Sequence, residues 1–409
     1  MTWDTALPDD ARAIAGELTQ LRRGLHRQPE IGLHLPRTQE TVLEALDGLG
    51  LEITLGSALS SITAVLRGTG TGAGTGAEDR PAVLLRGDMD GLPVAEATGL
   101  DFASEIDGAM HACGHDLHTA MLVGAARLLA AHRDALAGDV VFMFQPGEEG
   151  WDGARYMIEE GVLDAAGPRV RSAFGMHVLS ARVPTGLFTT RPGTLMAASD
   201  GLTVTVHGAG THGSTPHLGR DPITAAAEMI TALQTMITRR FDIFDPVVLS
   251  VGAVHGGTRR NILPQEATFD ATVRTFSTEA RERIRTESVR LCENIAAAHG
   301  VQVTAEYIDE YPVTVNDEAG TSFATEVVTE TFGDRRYQPM VTPQTGSEDF
   351  SRVLAAVPGC YLMLGAAVGD DPVAVPYNHS PYASFDDSVL PDGALLHAQL
   401  AVRALRRPA

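Results

Sequence analysis

The sequence predicts an α/β fold: a mostly parallel mixed sheet flanked by helices, with a ferredoxin-like α+β domain inserted into it. Three observations lead there. Strand and helix patterns alternate over residues 61–177, which is how a parallel sheet with helices on both faces is built. A β-α-β-β-α-β succession then fills about a hundred residues, the split ferredoxin-like unit. A length of 409 residues also exceeds what one hydrophobic core usually organises.

Each element has its own warrant. Ile14, Leu18, Leu21 and Leu25 recur at three- and four-residue spacing and mark a first helix. A second, over residues 38–49, is closed by Gly50. Residues 61–67 and 81–86 read as strands. Between them residues 68–79 are rich in Gly, Thr and Ala with nothing to bury, and a mobile surface loop is expected. A phosphate-cradling role for it lacks the lysine and the following helix that such loops need. Helix, strand, helix and strand then follow at 115–132, 139–144, 153–160 and 173–177. The pattern changes after Gly186. Residues 201–207 alternate as a strand, and 222–240 form a helix started by Asp221 and Pro222. Residues 246–254 and 266–276 are long strands. Residues 278–299 are a helix with Ile284, Leu291 and Ile295 on one face and Gly300 at its end, and 301–307 are a last strand. The expected division is residues 1–186 and 308–409 for the main domain and 187–307 for the insertion.

The chain carries 31 Lys plus Arg against 52 Asp plus Glu, a net charge of −21. Such a surface repels phosphate backbones and anionic lipid, so neither nucleic acid nor membrane is expected as a partner. No lysine occurs, which removes Schiff-base chemistry, the phosphate-loop lysine and carbamylated-lysine metal sites together. Three scattered cysteines, Cys113, Cys292 and Cys360, fit a reducing compartment. The first ten residues have no basic start and no apolar core, so no signal peptide is expected. No run reaches the roughly 18 apolar residues of a membrane span. A soluble cytoplasmic protein is expected.

Four stretches concentrate metal-binding side chains: His111-Ala112-Cys113-Gly114-His115-Asp116-Leu117-His118 entering a helix, Gln145-Pro146-Gly147-Glu148-Glu149-Gly150 after a strand, Gly175-Met176-His177 at another strand end, and Asn378-His379-Ser380-Pro381. Thiolate and imidazole are favoured zinc ligands, and open α/β sheets gather their sites at the carboxyl ends of strands. Cys113, His115, Glu149, His177 and His379 would supply one thiolate, one carboxylate and three imidazoles, enough for two divalent ions that share a ligand. Glu148, beside a ligand in a tight turn, could take a proton from water and pass it to a leaving amine. The plainer alternative is that Glu148 and Glu149 start the following helix, whose first turn favours acids.

These residues resemble the amidohydrolase branch of the aminoacylase/carboxypeptidase family of dinuclear metallopeptidases, and the resemblance spans nearly the whole chain. It rests on the four stretches and on Leu25-His26-Arg27-Gln28-Pro29-Glu30, Gly87-Asp88-Met89-Asp90-Gly91-Leu92-Pro93, residues 212–217, Asn261-Ile262-Leu263-Pro264, Gly346-Ser347-Glu348-Asp349-Phe350 and His379-Ser380-Pro381. It implies that Cys113, His115, Glu149, His177 and His379 bind two divalent ions per chain, with Glu148 as general base toward a water that the ions bridge. Zinc or manganese would serve, and the mixed ligand set also tolerates cobalt or nickel. The implied reaction is cleavage of an N-acyl amino acid to a carboxylic acid and a free amino acid. The insertion is implied to be a lid and the surface of a homodimer.

The resemblance further suggests that His212 stabilises the oxyanion, reaching across from a partner subunit. A plain loop histidine is the alternative. Asn261 and Arg274 resemble positions that hold the acyl-amino acid, Arg274 at its carboxylate, although a solvent-facing arginine would look the same. Asp90 is read as an orienter of ligands and Asp88 is left open, because the wider family has His-x-Asp where this chain has Asp88-Met89-Asp90. His217 is given no role. His26, His34, His118 and His255 have no evident partner and read as structural, and Cys292 and Cys360 as packing residues. Ala383 stands where many relatives have an aromatic, and it is expected near the substrate, as is Asn261-Ile262-Leu263-Pro264. Two other readings stay open: a dipeptidase or carboxypeptidase of the same fold, and a non-catalytic binder of metabolite or metal. The adjacent acids Glu148 and Glu149 argue against the binder.

Overall fold

The computed structural model describes residues 3–71 and 80–407. They form two compact units: residues 1–193, 315–342 and 352–409, and residues 194–314 with 343–351. In chain order the first unit opens with α1 (Trp3–Ala13), α2 (Ala15–Arg27), α3 (Pro36–Leu46), β1 (Glu52–Leu55), β2 (Ile62–Leu66) and β3 (Ala82–Asp88). It continues with α4 (His115–Ala131), β4 (Asp139–Gln145), α5 (Gly153–Glu159), β5 (Ser172–Leu179) and β6 (Phe188–Thr190). After β7 (Gly193–Met196) come β8 (Ala198–His207), β9 (Thr211–His212), α6 (Pro222–Arg240), β10 (Val248–Gly256), β11 (Ile262–Leu263), β12 (Glu266–Thr275), α7 (Thr278–His299) and β13 (Gln302–Tyr311). Then follow β14 (Thr314–Asn316), α8 (Glu318–Phe332), β15 (Tyr337–Pro339), α9 (Ser351–Ala356), β16 (Gly359–Gly365) and α10 (Leu390–Arg406).

The large sheet runs β1-β2-β4-β3-β5-β16-β6-β15. Its centre, β4-β3-β5-β16, is parallel, and β1, β2 and β6 add antiparallel pairings toward the edges. Strands β3, β4 and β16 are buried along their whole length, as strands covered on both faces must be. That explains their unbroken apolar runs and makes Arg86, Asp88 and Gln145, polar residues at strand ends, worth following. Helix α4 is apolar all round because it lies between the sheet and helices α2 and α10. Its N-cap Gly114 has φ +85°, and a Cβ there would meet Val178 Cγ2 at 2.4 Å, so the turn into the helix demands glycine.

The second unit is a four-stranded antiparallel sheet, β10-β12-β8-β13, with α6 and α7 packed on it, joined as β-α-β-β-α-β. Asp221 caps α6 by accepting from Ile223 and Thr224 N–H, and Ser277 caps α7 by accepting from Ala280 N–H. Leu202, Val204, Val206, Phe269 and Val273 alternate inward against Met229, Leu233, Ile284 and Cys292.

Several expectations need correction. The insertion expected at 187–307 starts later, since Phe188–Thr190 is strand β6 of the large sheet, paired with β16 and β15, and 343–351 joins the second unit. Three residues are too short a run to reveal which sheet they join. Residues 72–79 of the expected mobile loop lie outside the described residues. Residues 68–70 are docked, with Gly68, Thr69 and Gly70 N–H donating to Asp139 Oδ1, Arg133 O and Leu136 O. Arg67 and Arg80 pin the same buried Asp139. Ala383 is fully buried in the core of the first unit. His26 and His118, expected to lack partners, are both buried and hydrogen bonded, His26 Nδ1 to Asp116 Oδ2 at 2.7 Å and His118 Nδ1 to Asp88 Oδ1 at 2.5 Å.

Candidate metal centre

Within the first unit, four separate stretches of chain bring their donors to one place. Cys113 sits just before α4 and His115 opens it. His177 lies near the carboxyl end of β5, and the turn after β4 carries Glu148 and Glu149. His379 comes from the segment before α10, with φ +71°, a left-handed conformation that a non-glycine residue adopts at a cost and that collects at functional sites. Its N–H donates to Ala112 O at 2.9 Å, tying that segment to the Cys113 turn.

The distances suit a metal. Cys113 Sγ is 3.3 Å from His177 Nε2 and 3.2 Å from His379 Nε2, and His379 Nε2 is 3.2 Å from Glu149 Oε1. Two ligands of a tetrahedral zinc, at their usual bond lengths, stand about 3.5 Å apart. Cys113, His115 and His177 form one group whose donor atoms lie within 4.8 Å of one another, and Cys113, Glu149 and His379 form a second. Cys113 is common to both. Both ring nitrogens of His115 are buried with no hydrogen-bond partner among the described residues, a costly state unless a cation fills it. Hydrogen bonds to the Cys113 and Glu149 side chains raise His379 to about 10. Burial pushes His177 well down and favours its neutral form, the one that binds a metal.

The base candidate is equally well placed. Glu148 is buried, its Oε2 3.9 Å from His115 Nε2, within reach of the donors. Asp90 accepts from Glu148 N–H on Oδ1 and from Glu149 N–H on Oδ2, both at 3.0 Å, and holds the turn with one carboxylate. The same Oδ1 lies 3.5 Å from His115 Nδ1. Neither acid is in a helix, since α5 starts only at Gly153, so the plainer alternative of a helix first turn does not describe them. Asn378, quoted in the sequence motif without a role, donates from Nδ2 to Cys113 O at 3.2 Å and to Val178 O at 3.1 Å. His118, read from sequence as structural, lies three residues from His115 on the same helix, a spacing that puts both on one face. The remaining histidines His34 and His255 are exposed. Burial pushes the Cys292 and Cys360 thiols up to about 12, so both stay protonated packing groups.

His212, Asn261 and Arg274 belong to the second unit. His212, on β9, is exposed and shares a 2.7 Å hydrogen bond between Nδ1 and Ser214 Oγ. Ile262 on β11 is its register partner, and Gly213 N–H donates to Asn261 O at 2.8 Å, so His212 and Asn261 are neighbours. His217 is exposed on a short turn after them. Arg274 is elsewhere. It pairs with Ser199, whereas the His212 loop follows His207, the partner of Glu266 at the far end of β12. Eight residues of strand, about 26 Å, separate the two ends.

Comparison with known proteins places this architecture. Residues 84–403 match the model of peptidase family M20/M25/M40. The chain is 36% identical to thermostable carboxypeptidase 1 of Saccharolobus solfataricus, over 97% of this chain and 98% of that one. It is likewise 36% identical to the IAA-amino acid hydrolase ILR1-like 4 of Arabidopsis thaliana, over 94% and 85%. A solved structure, a dinuclear metal-binding peptidase of family M20 from Bacillus subtilis, superposes with a TM-score of 0.80 at 32% identity, covering 96% of this chain and 99% of that one. The chain belongs to the M20/M25/M40 family. It is a hydrolytic enzyme that acts on amides, and its donor groups suit two divalent metals. Among the described residues no helix is long and apolar enough to cross a membrane.

Proposed function

We propose that this M20-family enzyme cleaves N-acyl amino acids, or closely related amino-acid conjugates, to a carboxylic acid and a free amino acid. The observation that carries the reading is the convergence of Cys113, His115, Glu149, His177 and His379 with Glu148 held beside them by Asp90. Likeness to an IAA-amino acid hydrolase supports a conjugated amino acid as substrate. His115 and His177 would hold one ion, Glu149 and His379 the other, with Cys113 shared. Divalent ions there polarise a carbonyl oxygen and acidify water. Zinc or manganese suits the set best, and cobalt or nickel is accommodated.

Glu148 takes the proton from the attacking water and returns it to the leaving nitrogen. His212 donates to the developing oxyanion, Arg274 pairs with the amino-acid carboxylate, and Asn261 sets the His212 loop. An acyl-amino acid is only a few ångströms long from scissile carbonyl to carboxylate, so it cannot meet Arg274 and His212 of the same chain across ~26 Å of strand. A second copy supplies His212, and the working enzyme is a homodimer formed through the second unit. Three free cysteines, with no disulfide, fit a cytoplasmic enzyme.

Hydrolysis of a panel of N-acyl amino acids, dipeptides and longer peptides, after chelation and after metal add-back, tests the reading. Release of amino acid from acylated substrates supports it. Release only from peptides would establish the second reading, a carboxypeptidase, which likeness to the Saccharolobus enzyme favours.

A further inference from the structure

We infer that His118 is a positioning residue that holds His177 in place for metal binding and does not itself bind metal. The inference rests on the reading of His177 as a ligand. By proximity alone His118 would pass for a ligand: Asp88, His115 and His118 offer donor atoms within 4.8 Å of one another. The hydrogen bonds exclude it. His118 Nε2 accepts the Val178 N–H at 2.8 Å, and a ring nitrogen that accepts cannot carry a proton. The proton is therefore on Nδ1, which faces Asp88 Oδ1 at 2.5 Å and donates to it. Both nitrogens are used, and none is left to face a cation.

The contact to Val178 is where the effect is exerted. The β3–β5 register ends at Gly175, so β5 runs on through His177 and Val178 without β3 as a neighbour. His118 takes up the Val178 N–H there. The Val178 carbonyl in turn accepts from His177 Nδ1 at 2.7 Å, which aims His177 Nε2 at Cys113 Sγ, 3.3 Å away. The backbone of one residue, Val178, is thus gripped at both ends, by His118 at its N–H and by His177 and Asn378 at its carbonyl.

Asp88, in turn, is fixed. Arg86 Nη1 donates to its Oδ2 at 2.6 Å, and Thr119 Oγ1 donates to its backbone carbonyl at 2.8 Å. Arg86 also donates from Nε to Gln145 Oε1 at 2.9 Å, at the root of the Glu148–Glu149 turn. Asp88 thereby acquires a role: where the wider family has a histidine, this chain has a carboxylate that sets the tautomer of His118. All four of these side chains, Arg86, Asp88, His118 and Gln145, are buried, so water does not compete for the contacts.

Two part-mimics separate the contacts. In His118→Asn the amide nitrogen sits where Nδ1 was and keeps the bond to Asp88, but it is too short for the Val178 N–H. In His118→Gln the terminal oxygen reaches the Val178 N–H and the Asp88 bond is lost. Zinc is titrated against a chelator, with metal per chain counted by atomic emission and the unfolding midpoint of the metal-free protein recorded alongside. The expected result is that His118→Asn weakens one of the two ions about 10- to 100-fold, at an unchanged metal-free midpoint, while His118→Gln recovers most of that loss. Unchanged zinc affinity in His118→Asn overturns the inference, as does a fall in metal-free stability with no specific metal loss. A measurement without substitution gives the same decision: ¹⁵N histidine spectra of the native protein should show His118 protonated on Nδ1 before and after zinc. A zinc-induced change at His118 Nε2 like that of a ligand also overturns it. His177→Ala separates the two levels. If it retains both ions at full affinity, the reading of the metal centre fails, whereas loss of an ion there with none in His118→Asn defeats only the present inference.

Discussion

The two units carry their chemistry in opposite ways. In the first, the donors come from four stretches of chain, all but the exposed His379 are buried or half-buried, and neighbours hold the segments that carry them: Asp90 on the Glu148–Glu149 turn, Asn378 on the Cys113 turn, His118 on β5. In the second, His212 and Asn261 are exposed on short β-turn structure, and Arg274 is about 26 Å of strand away from them. A site that binds cations must be built before the ligand arrives, because half-satisfied buried donors are costly and loose ones bind weakly. Groups that meet a substrate, or a second chain, can wait in solvent for their partner.

That contrast can be broken at either end. The largest effect belongs to metal removal: chelation should abolish hydrolysis, and zinc or manganese should restore it, with metal content per chain rising in step. Glu148→Gln comes next. It should lower kcat by about 10²- to 10⁴-fold while both ions remain bound, as counted by atomic emission. If the ions leave with the carboxylate, Glu148 is a ligand and not the base.

His212→Ala should cost about 10²- to 10³-fold in kcat with metal content unchanged, the usual loss for an oxyanion donor. Mixing it with Glu148→Gln gives the sharper result. In a mixed dimer one site has both defects, but the other has an intact Glu148 and receives an intact His212 from its partner, so activity should return on subunit exchange. No return places His212 on its own chain's site or outside the chemistry. Arg274→Ala should act more mildly, raising KM about 10- to 100-fold with kcat nearly unchanged, because a charged hydrogen bond to substrate is lost.

The smallest effect is on stability against pH. Burial pushes His111 and His397 in the first unit down to about 3 from 6.5. The unfolded chain takes up these protons below about 6.5 and the folded one does so only near 3, so the stability they confer is complete above 6.5 and lost as pH falls toward 3. Asp116, held below its ordinary value by Arg22 and His26 against the cost of burial, adds a loss at still lower pH. The second unit buries no histidine among the described residues. Hydrogen exchange on metal-free protein should therefore show the first unit losing protection on acidification before the second, and His397→Gln should narrow the gap.

Much of this was legible in the sequence, and the reason differs by element. The parallel centre was visible because strands buried on both faces need unbroken apolar runs, and the β-α-β-β-α-β unit because period two and period 3.6 alternate cleanly over 201–307. The metal donors stood out because Cys, His and Glu at strand and helix ends are chemically conspicuous even one stretch at a time. Their supports were not. His118, Asp88, Arg86 and Asn378 have ordinary side chains for their positions, and what distinguishes them is a partner 30 to 265 residues away. Strand β6 escaped for the same reason, since its three residues become a strand only by pairing with β16 and β15. The sequence by itself determined which elements form and which side chains can bind a metal, because periodicity and ligand chemistry are local properties. Only the tertiary structure decided which histidine nitrogens are free to bind, because that depends on hydrogen bonds between segments the chain order keeps apart.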